Sequence, residues 1–234
     1  MTLVDSRRWL EAGTKLLDET IGGLTEPEYD GPSLLPGWTC KHLLAHLSAN
    51  AVALGNLVHW AATGERTLMY ASPEQRAADI ETGSRLSAAE LYDWYGRSAA
   101  TLTAAMDQLT DEQWHTEVLT AQGRPVPATT IPWLRAREVM IHAVDLGTGV
   151  TFDDLPDDFL IALCDDITAK RTAAGDGPAL VVQAGDNSWT VAGQGDPTTV
   201  TGPLAGVAAY LAGRGSEQLS TTAGAAVPAL PAWL

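Results

Sequence analysis

The sequence predicts an α+β protein: a four-helix bundle over residues 1–150 followed by a small α/β domain over 151–234. Three observations carry this. Four long segments before residue 150 repeat apolar residues at helical period, and one is apolar around most of its circumference, as a buried bundle member is. Helix start and stop signals bracket those segments. After about residue 151 the pattern changes to short strand-like runs separated by Gly, Asn, Asp and Pro.

The elements follow in order. Residues 4–22 set Leu10, Leu16, Leu17 and Ile21 among charged positions at helical spacing. GGLTEPEYDGPSLLPG reads as a loop. Thr39 reads as the N-cap of a long helix, CKHLLAHLSANAVALGNLVHWAAT, running to about Thr63 before Gly64. Ser87 with Glu90 three residues later forms a capping-box pattern, opening a third helix towards Leu109. TEVLTAQGRPVPATTIP is a poor helix former and reads as a long connection. Pro132 suits the first turn of a fourth helix ending near Gly147. In the second domain Pro156 opens a helix, DDFLIALCDDITAKRTAAG. The runs ALVVQA, SWTVA and TTVTG read as strands, and PLAGVAAYLAGRG as a further helix.

A formal net charge of -15 argues against nucleic acid as a partner, since the phosphate backbone would be repelled. It also means that an anionic small substrate needs a local cation to hold it. The two cysteines, Cys40 and Cys164, fall within helical patterns and suit a reducing cytoplasm. The N-terminal stretch lacks an apolar signal core, and no run approaches the roughly 18 apolar residues of a membrane span. The expected location is cytoplasmic.

The stretch REVMIHAVDLG sets Glu138 and His142 one helical turn apart, on one face. That pair is either a helical hydrogen bond or half of a metal site. The apolar helix offers His42 and His46, also four apart, as further ligands. Two His and one Glu with an open position is a known catalytic zinc set, and facing helices of a bundle are a usual way to build one. The residues alone leave both readings open. The helix N-terminus at Cys40 would lower a thiol pKa, although a small packed side chain is the plainer reading. Arg214 near the end of the last helix reads, on its own, as a cation complementing the helix dipole. His59 and His115 read as surface or structural, and the eight Trp as packing residues.

Together, LLPGWTCKHLLAHLSANAVALGNLVHWAATGE, VLTAQGRPVPATTIPWLRAREVMIHAVDLG and VTGPLAGVAAYLAGRG resemble the mycothiol-dependent maleylpyruvate isomerase family. The likeness spans both domains and is weakest over residues 156–174 and the strands around 180–195. It implies a DinB-like four-helix bundle with a small C-terminal α/β domain. It further implies Zn2+ held by His46, Glu138 and His142, with His42 a neighbour. Arg214 matches an arginine essential in the family, which implies that the second domain brings it to the site. Mycothiol is the implied cofactor and maleylpyruvate the implied substrate, isomerised to fumarylpyruvate. A mycothiol S-transferase of the same fold, or a non-catalytic binding protein, is the alternative, because fold alone does not set the reaction.

Overall fold

The computed structural model describes residues 1–222, 224–231 and 233. The chain divides into two compact units, Met1–Val150 and Thr151–Leu234.

The first unit is built on four long helices. Helix α1 (Leu3–Gly22) starts at a capping box between Thr2 and Asp5 and buries Trp9, Leu10, Gly13, Leu17 and Ile21, a stripe at three- and four-residue spacing. A short helix α2 (Glu26–Asp30) follows, inside the stretch that reads as loop from sequence. Helix α3 (Cys40–Thr63) starts at the Thr39 cap and is buried along most of its length, from Cys40 through Ala61. Helix α4 (Pro73–Gly83) has no counterpart in the sequence reading. Ser72 caps it and Pro73 sits in its first turn. Helix α5 (Ala88–Asp107) opens at the Ser87–Glu90 box and buries Leu91, Tyr95, Ser98, Leu102 and Met106. It is followed by the short α6 (Asp111–Trp114).

The segment read as a plain connection is a small antiparallel hairpin, β1 (Glu117–Leu119) with β2 (Pro125–Pro127), then a 3-10 turn. Three-residue strands are too short for an alternating pattern to show in sequence. Helix α7 (Ile131–Asp145) completes the bundle. Helix α1 packs on α7, and α3 packs on α5, α4 and α7. At the α1–α7 crossing Gly13 has no room for a side chain. A Cβ there would lie 2.7 Å from Val139 Cγ2 and 2.9 Å from Met140 Cγ.

In the second unit α8 (Asp157–Ala174) precedes β3 (Pro178–Ala184), β4 (Asn187–Val191) and β5 (Gln194–Thr201). Then come α9 (Leu204–Leu211) and the short β6 (Ser220–Thr221). The sheet order is β4-β3-β5-β6; β3 pairs antiparallel with β4 and parallel with β5. Its core joins Leu180, Val182 and Val200 to Phe159, Leu163 and Ile167 of α8 and to Val207 and Leu211 of α9. The last helix is shorter than its sequence suggests. It ends at Leu211, and Gly213 adopts φ +76 so that its N–H reaches Tyr210 O while Arg214 N–H reaches Ala209 O at 2.8 Å. This is a Schellman closure, which needs a left-handed residue at that one position. Among the described residues no helix is long and apolar enough to cross a membrane.

Candidate metal centre

Helices α3 and α7 bring the site together. His46 lies on the buried face of α3, and Glu138 and His142 occupy successive turns of α7. Arg135, fully buried one turn before Glu138, ties the two helices. Its Nη1 donates to Leu47 O at 2.7 Å and to Asn50 Oδ1 at 2.9 Å. The register of His46 against Glu138 is therefore held by a buried, charge-assisted contact.

The donor atoms converge. His46 Nε2 is 2.9 Å from Glu138 Oε2, and His142 Nε2 is 3.4 Å from the same oxygen. The two rings meet edge to face with centroids 5.1 Å apart. One donor atom from each of the three residues lies within 4.8 Å of the other two, and among the described residues no fourth His, Cys, Asp or Glu joins them. On the far side of His142, Nδ1 is 2.8 Å from Asp145 Oδ2, a carboxylate with no solvent exposure. That carboxylate accepts from the Nδ1 N–H, which would leave Nε2 to serve as a metal donor, as outer partners of metal-binding histidines do. Two imidazole nitrogens and one carboxylate oxygen at this spacing are the donor chemistry a zinc-like ion takes.

Electrostatics follow from burial and these contacts. Burial works against the Glu138 carboxylate, but hydrogen bonds with His142 and His46 outweigh it and hold its pKa well below the usual range. Burial holds the His46 imidazole below its ordinary value despite Glu138. Burial also opposes charge on His142, yet Asp145 and Glu138 together raise it.

His42 does not join the cluster. Its Nδ1 accepts from its own N-cap, with Thr39 N at 3.2 Å, and its Nε2 lies 3.6 Å from Glu81. It serves as the third-position partner of the capping box that starts α3. Cys40 and Cys164 are buried and free. Burial raises the Cys40 thiol, so the lowering expected at a helix start is overridden, and it pushes Cys164 up to about 12. Arg214 lies in the second unit, three residues past the end of α9, with Nη1 donating to Ala212 O at 2.6 Å.

Three residues of the site went unread in the sequence. Asp145 was within reach, at i+3 from His142 on the same face. Trp38, whose ring centroid is 5.7 Å from that of His46, precedes the Thr39 cap and reads, with the other tryptophans, as a packing residue. Arg76 of α4 places Nη2 3.2 Å from His46 Nδ1, and nothing in its own segment signals the contact.

The model of the mycothiol maleylpyruvate isomerase N-terminal domain matches residues 10–147, more than half of the chain and all of the metal-site elements. The chain belongs to the mycothiol maleylpyruvate isomerase family. Over its full length this family member is similar to a crystal structure of the mycothiol-dependent maleylpyruvate isomerase, at 42% identity and a TM-score of 0.95, covering 98% of that chain. A mutant of that enzyme superposes equally well, at 41% identity and 0.95, again with 98% covered. YfiT from Bacillus subtilis, described as a probable metal-dependent hydrolase with an unusual four-helix bundle topology, is 15% identical with a TM-score of 0.51. It matches 62% of this chain and 85% of its own, and shares the fold. Among curated proteins none matches.

Proposed function

We propose that this chain is a mycothiol-dependent maleylpyruvate isomerase that uses Zn2+ at His46, Glu138 and His142. The single observation that carries the reading is the convergence of those three donors within 4.8 Å, in a chain 42% identical over its whole length to that enzyme.

The reaction sets the chemical needs. A carbon–carbon double bond cannot turn until it loses its double-bond character. A thiolate adding to the conjugated alkene makes that bond single; rotation and loss of the same thiolate then give the trans product. A free thiol of pKa ~8.5 is mostly protonated at neutral pH. A zinc ion at this site supplies the remedy, because a coordinating thiol is deprotonated outright.

The remaining work falls to the chain. His46, Glu138 and His142 present one carboxylate and two neutral nitrogens, which leaves a bound divalent ion with residual positive charge. Asp145 keeps the His142 proton on Nδ1. The apolar core behind α3 and α7, with Leu43, Leu47, Val139 and Ala143 all buried, keeps water from the back of the site. Arg214 is assigned the substrate's carboxylate or the negative charge developing on its ketone, through the planar fork of its guanidinium. Neither cysteine supplies the nucleophile: both thiols are buried and raised. An external thiol is therefore required, and it is returned unchanged.

The test is to follow maleylpyruvate with zinc-loaded protein, with and without mycothiol, and to assay thiol afterwards. Isomerisation that depends on mycothiol and leaves its concentration constant is expected. Consumption of thiol with release of a conjugate would make the protein a transferase. Equal turnover without thiol would overturn the mechanism.

A further inference from the structure

The two ring nitrogens facing away from the donor cluster have opposite partners. His142 Nδ1 faces the buried carboxylate of Asp145 at 2.8 Å, the usual support for a metal-binding imidazole. His46 Nδ1 instead faces the guanidinium of Arg76 at 3.2 Å. A guanidinium only donates, so in this arrangement His46 Nδ1 accepts and its proton sits on Nε2, directed at Glu138. A neutral imidazole that offers its Nε2 lone pair to a metal carries its proton on Nδ1. The N–H of His46 would then meet the N–H of Arg76, so this contact belongs to the metal-free protein alone.

Arg76 has nowhere else to place its charge. In a protein with 29 Asp and Glu residues, it forms no ion pair with a carboxylate among the described residues. Other arginines of the bundle do pair: Arg7 with Asp107, Arg85 with Glu81, Arg97 with Asp93. Arg76 is instead set against an aromatic ring, its Cζ 5.7 Å from the Tyr70 ring centroid. A half-buried guanidinium 3.2 Å from one of the metal donors works against metal binding unless an anion sits between the two charges.

We propose that Arg76 binds a carboxylate of the substrate, exchanging His46 for that carboxylate when the metal is held. The choice of carboxylate over the thiolate rests on geometry, since a planar fork matches two oxygens better than one sulfur. The identity of the substrate rests on the isomerase reading above; the charge of the ligand does not.

The experiment compares wild type with Arg76→Met and Arg76→Lys. Zinc affinity of the apoproteins is measured by chelator competition. Binding of fumarate, as an unreactive dicarboxylate probe, and of mycothiol is measured by calorimetry on the zinc-loaded proteins, with Tm as a folding control. For Arg76→Met we expect zinc bound at least as tightly as in wild type, because an opposing cation is gone. Fumarate should bind about tenfold more weakly or worse, as for a lost charge-assisted contact. Mycothiol affinity should stay within about twofold, well below that tenfold loss. Arg76→Lys should recover part of the fumarate binding. Weaker zinc binding in Arg76→Met would make Arg76 a support for His46 and overturn the proposal. So would unchanged fumarate affinity, absence of fumarate binding by wild type, or a loss confined to mycothiol. Failure of wild type to isomerise maleylpyruvate with mycothiol is a separate result, which removes the isomerase reading and leaves the fumarate comparison standing.

Discussion

His142 Nδ1 and the carboxylate of Asp145 lie 2.8 Å apart, one turn along α7, with the aspartate wholly shielded from solvent. A buried carboxylate without a partner is costly, so the pair holds the imidazole in one orientation and one tautomer. The first prediction follows from it. Asp145→Asn should lower zinc affinity about 10–100-fold, the usual effect of losing such an outer partner. Chelator competition on the purified variant measures this; affinity equal to wild type would make Asp145 a packing residue only.

The two histidines of α3 should separate cleanly. His46→Ala removes a donor from the cluster and should abolish stoichiometric zinc. His42→Ala should keep the metal and lose about 1 kcal/mol of stability, because its ring completes the cap on α3. Metal analysis and thermal melts on both variants check the pair. Zinc lost from His42→Ala and kept in His46→Ala would reverse the assignment.

Arg214 has two candidate roles that differ in what a lysine can replace. As a terminal cation on α9 it contributes about 0.3–1 kcal/mol, which Arg214→Lys should preserve. As a ligand for a carboxylate it needs the planar fork, so the same variant should lose turnover on the order of 100-fold with Tm nearly unchanged. Near-normal turnover in both Arg214→Lys and Arg214→Ala would leave Arg76 as the anion anchor to pursue.

Neither cysteine should react readily. Cys40 is buried with its thiol raised, and Cys164 is raised to about 12, so the thiolate fraction of both is small at neutral pH. Native protein should resist iodoacetamide at pH 7.5, and the denatured chain should take up label on both residues. Cys40→Ser and Cys164→Ser should retain mycothiol-dependent turnover; loss of catalysis in a folded variant would contradict an external nucleophile.

The packing of α1 on α7 should be sensitive to a single methyl group. Gly13→Ala places a Cβ 2.7 Å from Val139 and 2.9 Å from Met140, on the helix that carries Glu138 and His142. A cost of about 1–3 kcal/mol is expected, as for other overpacked sites. The melting temperature reports it. An unchanged Tm would mean that α1 shifts freely on α7.

The sequence by itself determined the helices that carry the metal donors and the strands and helices of the second unit. Burial imposes an apolar period on α1 and α5 and encloses most of α3 and α7, and caps such as Thr39 and Ser87 are local chemistry. The one-turn spacing of Glu138 and His142 follows from helix geometry alone. Helix α4 escaped because only Ile80 and Gly83 are buried along it, so it leaves almost no period, although Ser72 and Pro73 mark its start. What only the tertiary structure decided is which groups meet. Residues alone left His42 and His46 equivalent, and family resemblance favoured the second. The physical reason lies in the register of α3 on α7, which sets His46 against Glu138 while His42 folds back on its own cap. Arg76 stands thirty positions from His46, on a helix whose own sequence carries no mark of the contact. A meeting between side chains of different elements is made by packing, and no local pattern encodes it.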